Sequence, residues 1–181
     1  MNTTRRVAHY LDLLDSQREV VFALLEGITD EQLWQRPSPN EWSIGEILDH
    51  TYLVFASFYP AVRWMWKHAG WYGRLRRSRL YTADVEDLYR NPKFPQWVGF
   101  IWTPRYNTRK PVSLDQLKSE LQTSHSNVRQ FYEGKDEDVL GNLYLYDPLF
   151  SWCNLVVTLR IGVYHDQLHY DDVVKLVAQF T

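Results

Sequence analysis

The stretch Trp42-Ser43-Ile44-Gly45-Glu46-Ile47-Leu48-Asp49-His50 carries the clearest helix start in the chain. Ser43 and Glu46 form an S-x-x-E capping box, in which the hydroxyl accepts from the N3 amide and the carboxylate reaches back to the cap amide. Trp42 and Ile47 stand at the N′ and N4 positions of a hydrophobic staple. The pattern predicts a helix that runs through His50, Val54 and Phe58 towards Lys67, with Pro60 as a possible kink.

Working outward, three more helices follow the same physical signals. Val7, Leu11, Leu14, Val21, Leu25 and Ile28 keep the 3–4 spacing of an amphipathic helix, which Gly27 helps to end. A short capped turn follows, with Thr29 and Gln32 in capping-box positions. Ser113 and Gln116 repeat the box, Val112 and Leu117 the staple, and Leu114, Leu117, Leu121, Val128 and Phe131 the apolar stripe. Gly134 ends that helix. The fourth is expected to open with Asp147 as N-cap and Pro148 at N1, and to run to about Gln179. The chain therefore reads as an all-α single domain, residues 1–181, built as a four-helix bundle.

Residues 68–112 read as an irregular aromatic and basic crossover holding Pro92, Pro95, Pro104 and Pro111, where only TADVEDLYR suggests a helical turn. A connection this long between helices two and three suits an up-down-down-up order, in which those two helices run parallel. Helix two then lies antiparallel to helix four. Such a pairing sets His50, roughly 10 Å into helix two, near the height of a His pair roughly 15 Å from the end of helix four.

That pair is His165 and His169 in VYHDQLHYDDV. A spacing of four places both imidazoles on one helical face. With His50 they make a three-nitrogen set whose remaining coordination positions stay open, the composition of a catalytic rather than a structural metal site. All three share faces with apolar residues: His50 with Ile47, Val54 and Phe58, the pair with Gly162, Val173 and Leu176. Inward imidazoles are costly unless partnered, and one metal would satisfy all three. The alternative is three core histidines bonded to backbone carbonyls or Asp.

For support of a ligand, Asp172 is the best candidate, being seven residues beyond His165 on its face; it could also be a ligand itself. Asp166 and Asp171 read as a solvated acidic patch. Glu46 is explained by its capping role. His9, His68 and His125 lack matching geometry, with His125 at a boundary. Cys153 reads as a small core residue rather than a nucleophile, and Arg18 as an interface salt bridge. Arg63, Lys67, Arg74, Arg76, Arg77 and Arg79, interleaved with Trp64, Trp66, Trp71 and Tyr72, are expected to pair with Asp84, Glu86 and Asp87 as the crossover anchors itself.

Composition limits the rest. A net charge of −2 argues against general affinity for nucleic acid. A single Cys excludes an intramolecular disulfide and a cysteine-rich zinc ribbon. No apolar run approaches a membrane span, since Arg160 interrupts LVVTLRIGV. Residues 1–17 lack the apolar stretch of a secretory signal. A cytoplasmic location is therefore expected.

The pattern Pro39-x-x-Trp42-Ser43-Ile44-x-Glu46-Ile47-Leu48-x-His50, followed by His165-x-x-x-His169, resembles the DinB family of metal-binding four-helix bundles, which includes YfiT-like proteins. The resemblance covers about 1–67 and 113–181. It implies an up-down-down-up bundle, a divalent metal (zinc or nickel) on His50, His165 and His169, and a homodimer. It further implies a small-molecule substrate and a thiol-dependent S-transferase or isomerase reaction using a low-molecular-weight thiol. Metal-assisted hydrolysis and a non-catalytic metal- or ligand-binding stress-response module are the alternatives. The chain departs from many members in having Tyr170, Asp171 and Asp172 where a Gly-Gln pair closely follows the last His.

Overall fold

A computed structural model of the chain describes residues 6–91, 102–107, 111–147 and 149–180. Six α-helices and one hairpin make up the described regular structure, apart from two single 3₁₀ turns: α1 (Arg6–Leu24), α2 (Asp30–Trp34), α3 (Ile44–Arg76), α4 (Leu114–Tyr132), α5 (Glu137–Leu140), β1 (Tyr144–Asp147), β2 (Ser151–Asn154) and α6 (Leu155–Val177). The four long helices form the bundle. No helix among the described residues is long and apolar enough to cross a membrane.

Side-chain contacts fix the directions of the helices. Along α3 and α6, His50 faces His165 and Phe55 faces Gly162, so rising numbers meet falling ones and the pair is antiparallel. Phe55 meets His125 and Tyr59 meets Phe131, so α3 and α4 are parallel. Arg160 lies over Tyr10 and Gln17 bonds Gln167, so α1 and α6 are parallel. Arg129 reaches Asp12 and Lys118 reaches the Phe22 carbonyl, which makes α1 and α4 antiparallel. The order is up-down-down-up.

The capping boxes at Thr29 and Ser43 form as the sequence predicts, each with both reciprocal bonds. Ser113 accepts from the Gln116 amide, but the Gln116 side chain turns outward to Glu120, so that box is half made. Gly134 follows α4 with φ of 73°, a conformation that suits glycine.

Two boundaries differ from the sequence reading. Helix α3 continues past Lys67 to Arg76, so the crossover begins at 77 rather than 68. Its glycines do not break it. Gly73 faces α5, where a Cβ would stand 2.9 Å from the Val139 carbonyl oxygen, so glycine permits the close approach of the two elements. Pro60 lies within the helix without ending it.

The fourth bundle helix starts at Leu155, not at 147–148. Asp147 does accept two backbone amides, as an N-cap would, but they are those of Leu149 and Phe150 in the hairpin turn. The same side-chain chemistry serves turns and caps alike. The true cap is Asn154, which accepts from Val156 and Val157. The all-α reading is thus amended by one two-stranded antiparallel hairpin, with Tyr144 opposite Asn154 and Asp147 opposite Ser151. Pro148 lies outside the described residues.

The core divides into two apolar halves. One gathers Val7, Leu14, Phe55, Val62, Val128 and Leu155, and the other Val21, Leu25, Ile44, Leu48, Leu121 and Val173. Each long helix places buried polar residues between its contributions to the two halves: Arg18 on α1, Asp49 and His50 on α3, Ser124 and His125 on α4, His165 and Asp166 on α6. A polar layer therefore crosses the bundle at one height. The candidate site lies in it.

Candidate metal centre

His50, His165 and His169 converge. One imidazole nitrogen of each lies within 4.8 Å of the other two. The Nε2 atoms of His50 and His165 are 3.2 Å apart. A tetrahedral ion with nitrogen ligands at 2.0–2.1 Å sets those nitrogens about 3.3 Å from one another. His50 and His165 already stand near that spacing, and a His169 nitrogen lies within 4.8 Å of both.

The tautomer of His50 follows from its other nitrogen. Nδ1 lies 2.8 Å from the Trp102 carbonyl oxygen, an atom that can only accept, so Nδ1 carries the proton. Its Nε2 is then a bare lone pair aimed into the cluster. His165 Nδ1 lies 3.5 Å from Asp166 Oδ1, an ion-pair distance on the side of the ring away from the cluster. At 3.2 Å the two Nε2 atoms stand at the separation of two nitrogens on one ion, and the bare His50 Nε2 faces His165 across it. The donor set fits a divalent metal on that ground.

The electrostatics agree. Burial first, then the His165 imidazole, push His50 down to about 4, against the opposing pull of the Trp102 carbonyl and Asp166. Burial, then His165 and His50, hold His169 well below the usual histidine range. Both rings are neutral at pH 7, the form a metal requires. For His50 the folded value lies below its ordinary 6.5, so the unfolded chain binds more protons between about 4 and 6.5. Stability of the chelator-treated protein is expected to fall as pH drops through that window. The contribution of His50 is about 3 kcal/mol by pH 4, read as a falling urea midpoint. Zinc present in excess is expected to shift the fall to lower pH.

The crossover holds His50 from behind. Arg105 donates its backbone N–H to Asp49 Oδ2 at 2.5 Å, its Nε to Oδ1 at 2.8 Å, and Nη2 to both Asp49 and Glu120. Asp49 is fully buried and adjacent to His50. The indole N–H of Trp102 donates to Ser57 Oγ. These contacts fix residues 102–105 on α3 and with them the carbonyl that orients His50.

The carboxylate nearest the cluster is Asp166 rather than Asp172. Asp166 is fully buried between His165 and His125, whose Nε2 lies 3.3 Å from Oδ2. These are ion-pair distances; the angles fall short of good hydrogen bonds. Burial raises its carboxyl, but His125 and His165 outweigh that and hold it below the usual carboxylate range. The solvated-patch reading of Asp166 and the boundary reading of His125 are therefore corrected. Both residues lie on stripes visible in the sequence: Leu159-Val163-Asp166-Tyr170-Val173 and Leu121-His125-Val128-Tyr132, each stepping by three or four. Asp172 lines the cavity over the cluster, but its Oδ1 accepts from Lys175 Nζ at 2.7 Å and 44% of its side chain is exposed.

Of the other candidates, Glu46 and Cys153 fall where their bland readings put them, and Arg18, read as an interface salt bridge, pairs within its own helix instead. Glu46 caps α3 and pairs with Arg36. Arg18 is buried and pairs with Asp15 at 2.6 Å within its own helix. Cys153 sits on β2 rather than on a helix, packs with Val157 and Ile161, and is raised to about 11 by burial and Asp147. A thiol in that state is inert.

Above the imidazoles opens a cavity of about 510 Å³. Its walls are mostly apolar, from Trp42, Val54, Phe58, Tyr89, Trp102 and Leu149. Arg90, the cation in its lining, is held by Asp87. Tyr132 and Thr158 at its edge spend their hydroxyls on each other and on the Leu155 carbonyl. Among the described lining residues, the imidazoles are the main polar groups left for a ligand.

No functionally curated protein is detectably similar in sequence. Among solved structures, the chain resembles YfiT from Bacillus subtilis, described as a probable metal-dependent hydrolase with an unusual four-helix bundle topology. The TM-score is 0.61 at 14% identity, covering 96% of this chain and 86% of that one. That likeness is one of fold. The sequence model of the DinB superfamily matches residues 13–173, spanning all four bundle helices and all three converging histidines, and the chain belongs to that superfamily.

Proposed function

We propose that the protein is a metal-dependent hydrolase in which His50, His165 and His169 hold a divalent cation, zinc or nickel, against a small uncharged substrate with an apolar body. The observation that carries this reading is the convergence of three imidazoles, with the Nε2 atoms of His50 and His165 standing 3.2 Å apart, beneath an apolar cavity. When bound, such an ion supplies Lewis acidity, bringing a water or thiol nucleophile to its reactive state near neutral pH.

The chain's own residues do the rest. The Trp102 carbonyl and Asp166 orient two of the rings, so that the ligand atoms are preset rather than recruited. The apolar walls exclude water around the reacting group, which strengthens every charge interaction inside. A carbonyl-bearing substrate placed by those walls meets the nucleophile at the imidazole end.

Transfer of a low-molecular-weight thiol, the chemistry implied by the family resemblance, is the second reading. Cellular thiols of that kind are polar and carry carboxylates, and the described cavity walls offer them no uncommitted cation. Hydrolysis of a neutral ester or amide suits the walls better. The description of YfiT points the same way for that protein.

Elemental analysis of the purified protein, followed by turnover of neutral aryl esters with and without added thiol, tests the proposal. About one zinc or nickel per chain is expected. Hydrolysis is expected to be independent of thiol, lost with a chelator and restored by the metal. Turnover that requires thiol would transfer the assignment to the second reading. A chain that takes up neither metal after chelation and reloading would overturn both.

A further inference from the structure

Among the described residues, the arginines fall into two groups. Arg6, Arg18, Arg36, Arg90, Arg105, Arg129 and Arg160 each have a carboxylate within ion-pair distance. Among the same residues, Arg63, Lys67, Arg74, Arg76, Arg77 and Arg79 have none, Arg76 being held by the Tyr72 hydroxyl and ring. Asp84, expected to pair with this stretch, binds Arg6 and Arg160 instead, and Asp87 binds Arg90. Arg63 and Arg74 lie over the Tyr59 and Trp66 rings, contacts that leave their charge uncompensated. No Asp or Glu occurs between residues 62 and 83.

The same stretch carries apolar surface. Trp64 is 61% exposed, Trp71 60% and Leu75 74%. Their spacing of seven and four sets them in one stripe along α3. Lys67 and Arg74 flank it, with Arg63 further round on the same side. Just beyond the helix, Leu80 is fully exposed. The negative end of the helix dipole accounts for cations in the last turn, Arg74 and Arg76, but not for Arg63, Lys67 or the tryptophans.

We propose that this face of α3, the stripe Trp64-Trp71-Leu75 with its unpaired cations, docks the protein on an anionic lipid surface. Indole rings settle at the headgroup level and a leucine reaches the acyl boundary, while Lys and Arg meet the lipid phosphates. A nucleic acid would use the cations and could stack on the indoles, but it has no use for Leu75. A second copy joined symmetrically through this face would set cation against cation. The docking is peripheral, and it does not depend on the metal centre.

The test is co-sedimentation of the full chain with vesicles of phosphatidylglycerol and phosphatidylcholine in equal parts, and with phosphatidylcholine alone. Each cation near an anionic surface is worth about a fivefold gain. The wild type is expected to favour the anionic vesicles by tenfold or more, with roughly a hundredfold loss in the triple variant R63E, K67E, R74E. The double variant W64S, W71S is expected to bind at low salt but to release at roughly 1 M ionic strength sooner than wild type. All substituted side chains are exposed, and circular dichroism checks the fold. Equal partition into both vesicles, or unchanged binding by the triple variant, would overturn the proposal. So would tighter binding to a single-stranded or duplex oligonucleotide than to the anionic vesicles.

Discussion

Replacing His169 by Ala is expected to abolish tight binding of zinc or nickel while leaving the bundle folded. His169 is partly accessible on α6 and belongs to neither apolar half of the core. Its removal takes one of three nitrogens from the set, and the loss should exceed the roughly 10–100-fold that follows when a group supporting a ligand is removed. Asp166→Asn falls in that lesser range, because the imidazole it orients stays in place. Asp172→Ala is expected to bind metal as the wild type does, since its carboxylate is held by Lys175. Calorimetric titration beside circular dichroism separates these outcomes. Affinity in His169→Ala equal to wild type would remove the residue from the site, and collapse of helicity would make it a structural histidine.

The largest effect on stability is expected from Arg105→Ala. Asp49 is wholly buried, and its carboxylate is compensated by the Arg105 guanidinium and backbone N–H. Deleting one partner of a buried ion pair costs roughly 3–5 kcal/mol, because the other charge stays behind. The retained N–H places Arg105→Ala near the lower end, about 3 kcal/mol. Arg105→Lys should recover only part, since a point charge cannot reproduce the fork that spans Asp49 and Glu120. The double variant with Asp49→Asn should cost less than the two single changes summed, because the orphaned charge is gone. Urea midpoints measure all three. A loss under 1 kcal/mol in Arg105→Ala would show that water reaches Asp49 once the arginine is removed.

Much of the fold is legible in the sequence because its signals are local. A serine three residues before a glutamate fixes where α3 begins, whatever surrounds it. The converging histidines are legible too, since a spacing of four and a matching height follow from helix geometry alone. Asp166 and His125 were equally visible as polar interruptions of apolar stripes, but reading them needs the four helices aligned. Only then do Arg18, His50, His125 and Asp166 appear as one layer. The hairpin was not legible, because Asp147 uses one chemistry for two structures. The crossover's hold on His50 depends on contacts 52 and 56 residues apart in sequence. No periodicity carries such information.

The partner of His50 Nδ1 is a main-chain oxygen, and this has a consequence for how the site tolerates mutation. Every residue type at position 102 presents the same carbonyl, so no single substitution there deletes the acceptor. The acceptor atom survives any change at 102, although the Trp102 indole also helps to place it. Its vulnerability is transferred to Ser57, Asp49 and Arg105, which hold that segment of backbone in place. Variation that disables this imidazole should therefore act through those anchors, including the Trp102 indole that bonds Ser57, and not through loss of the acceptor oxygen itself.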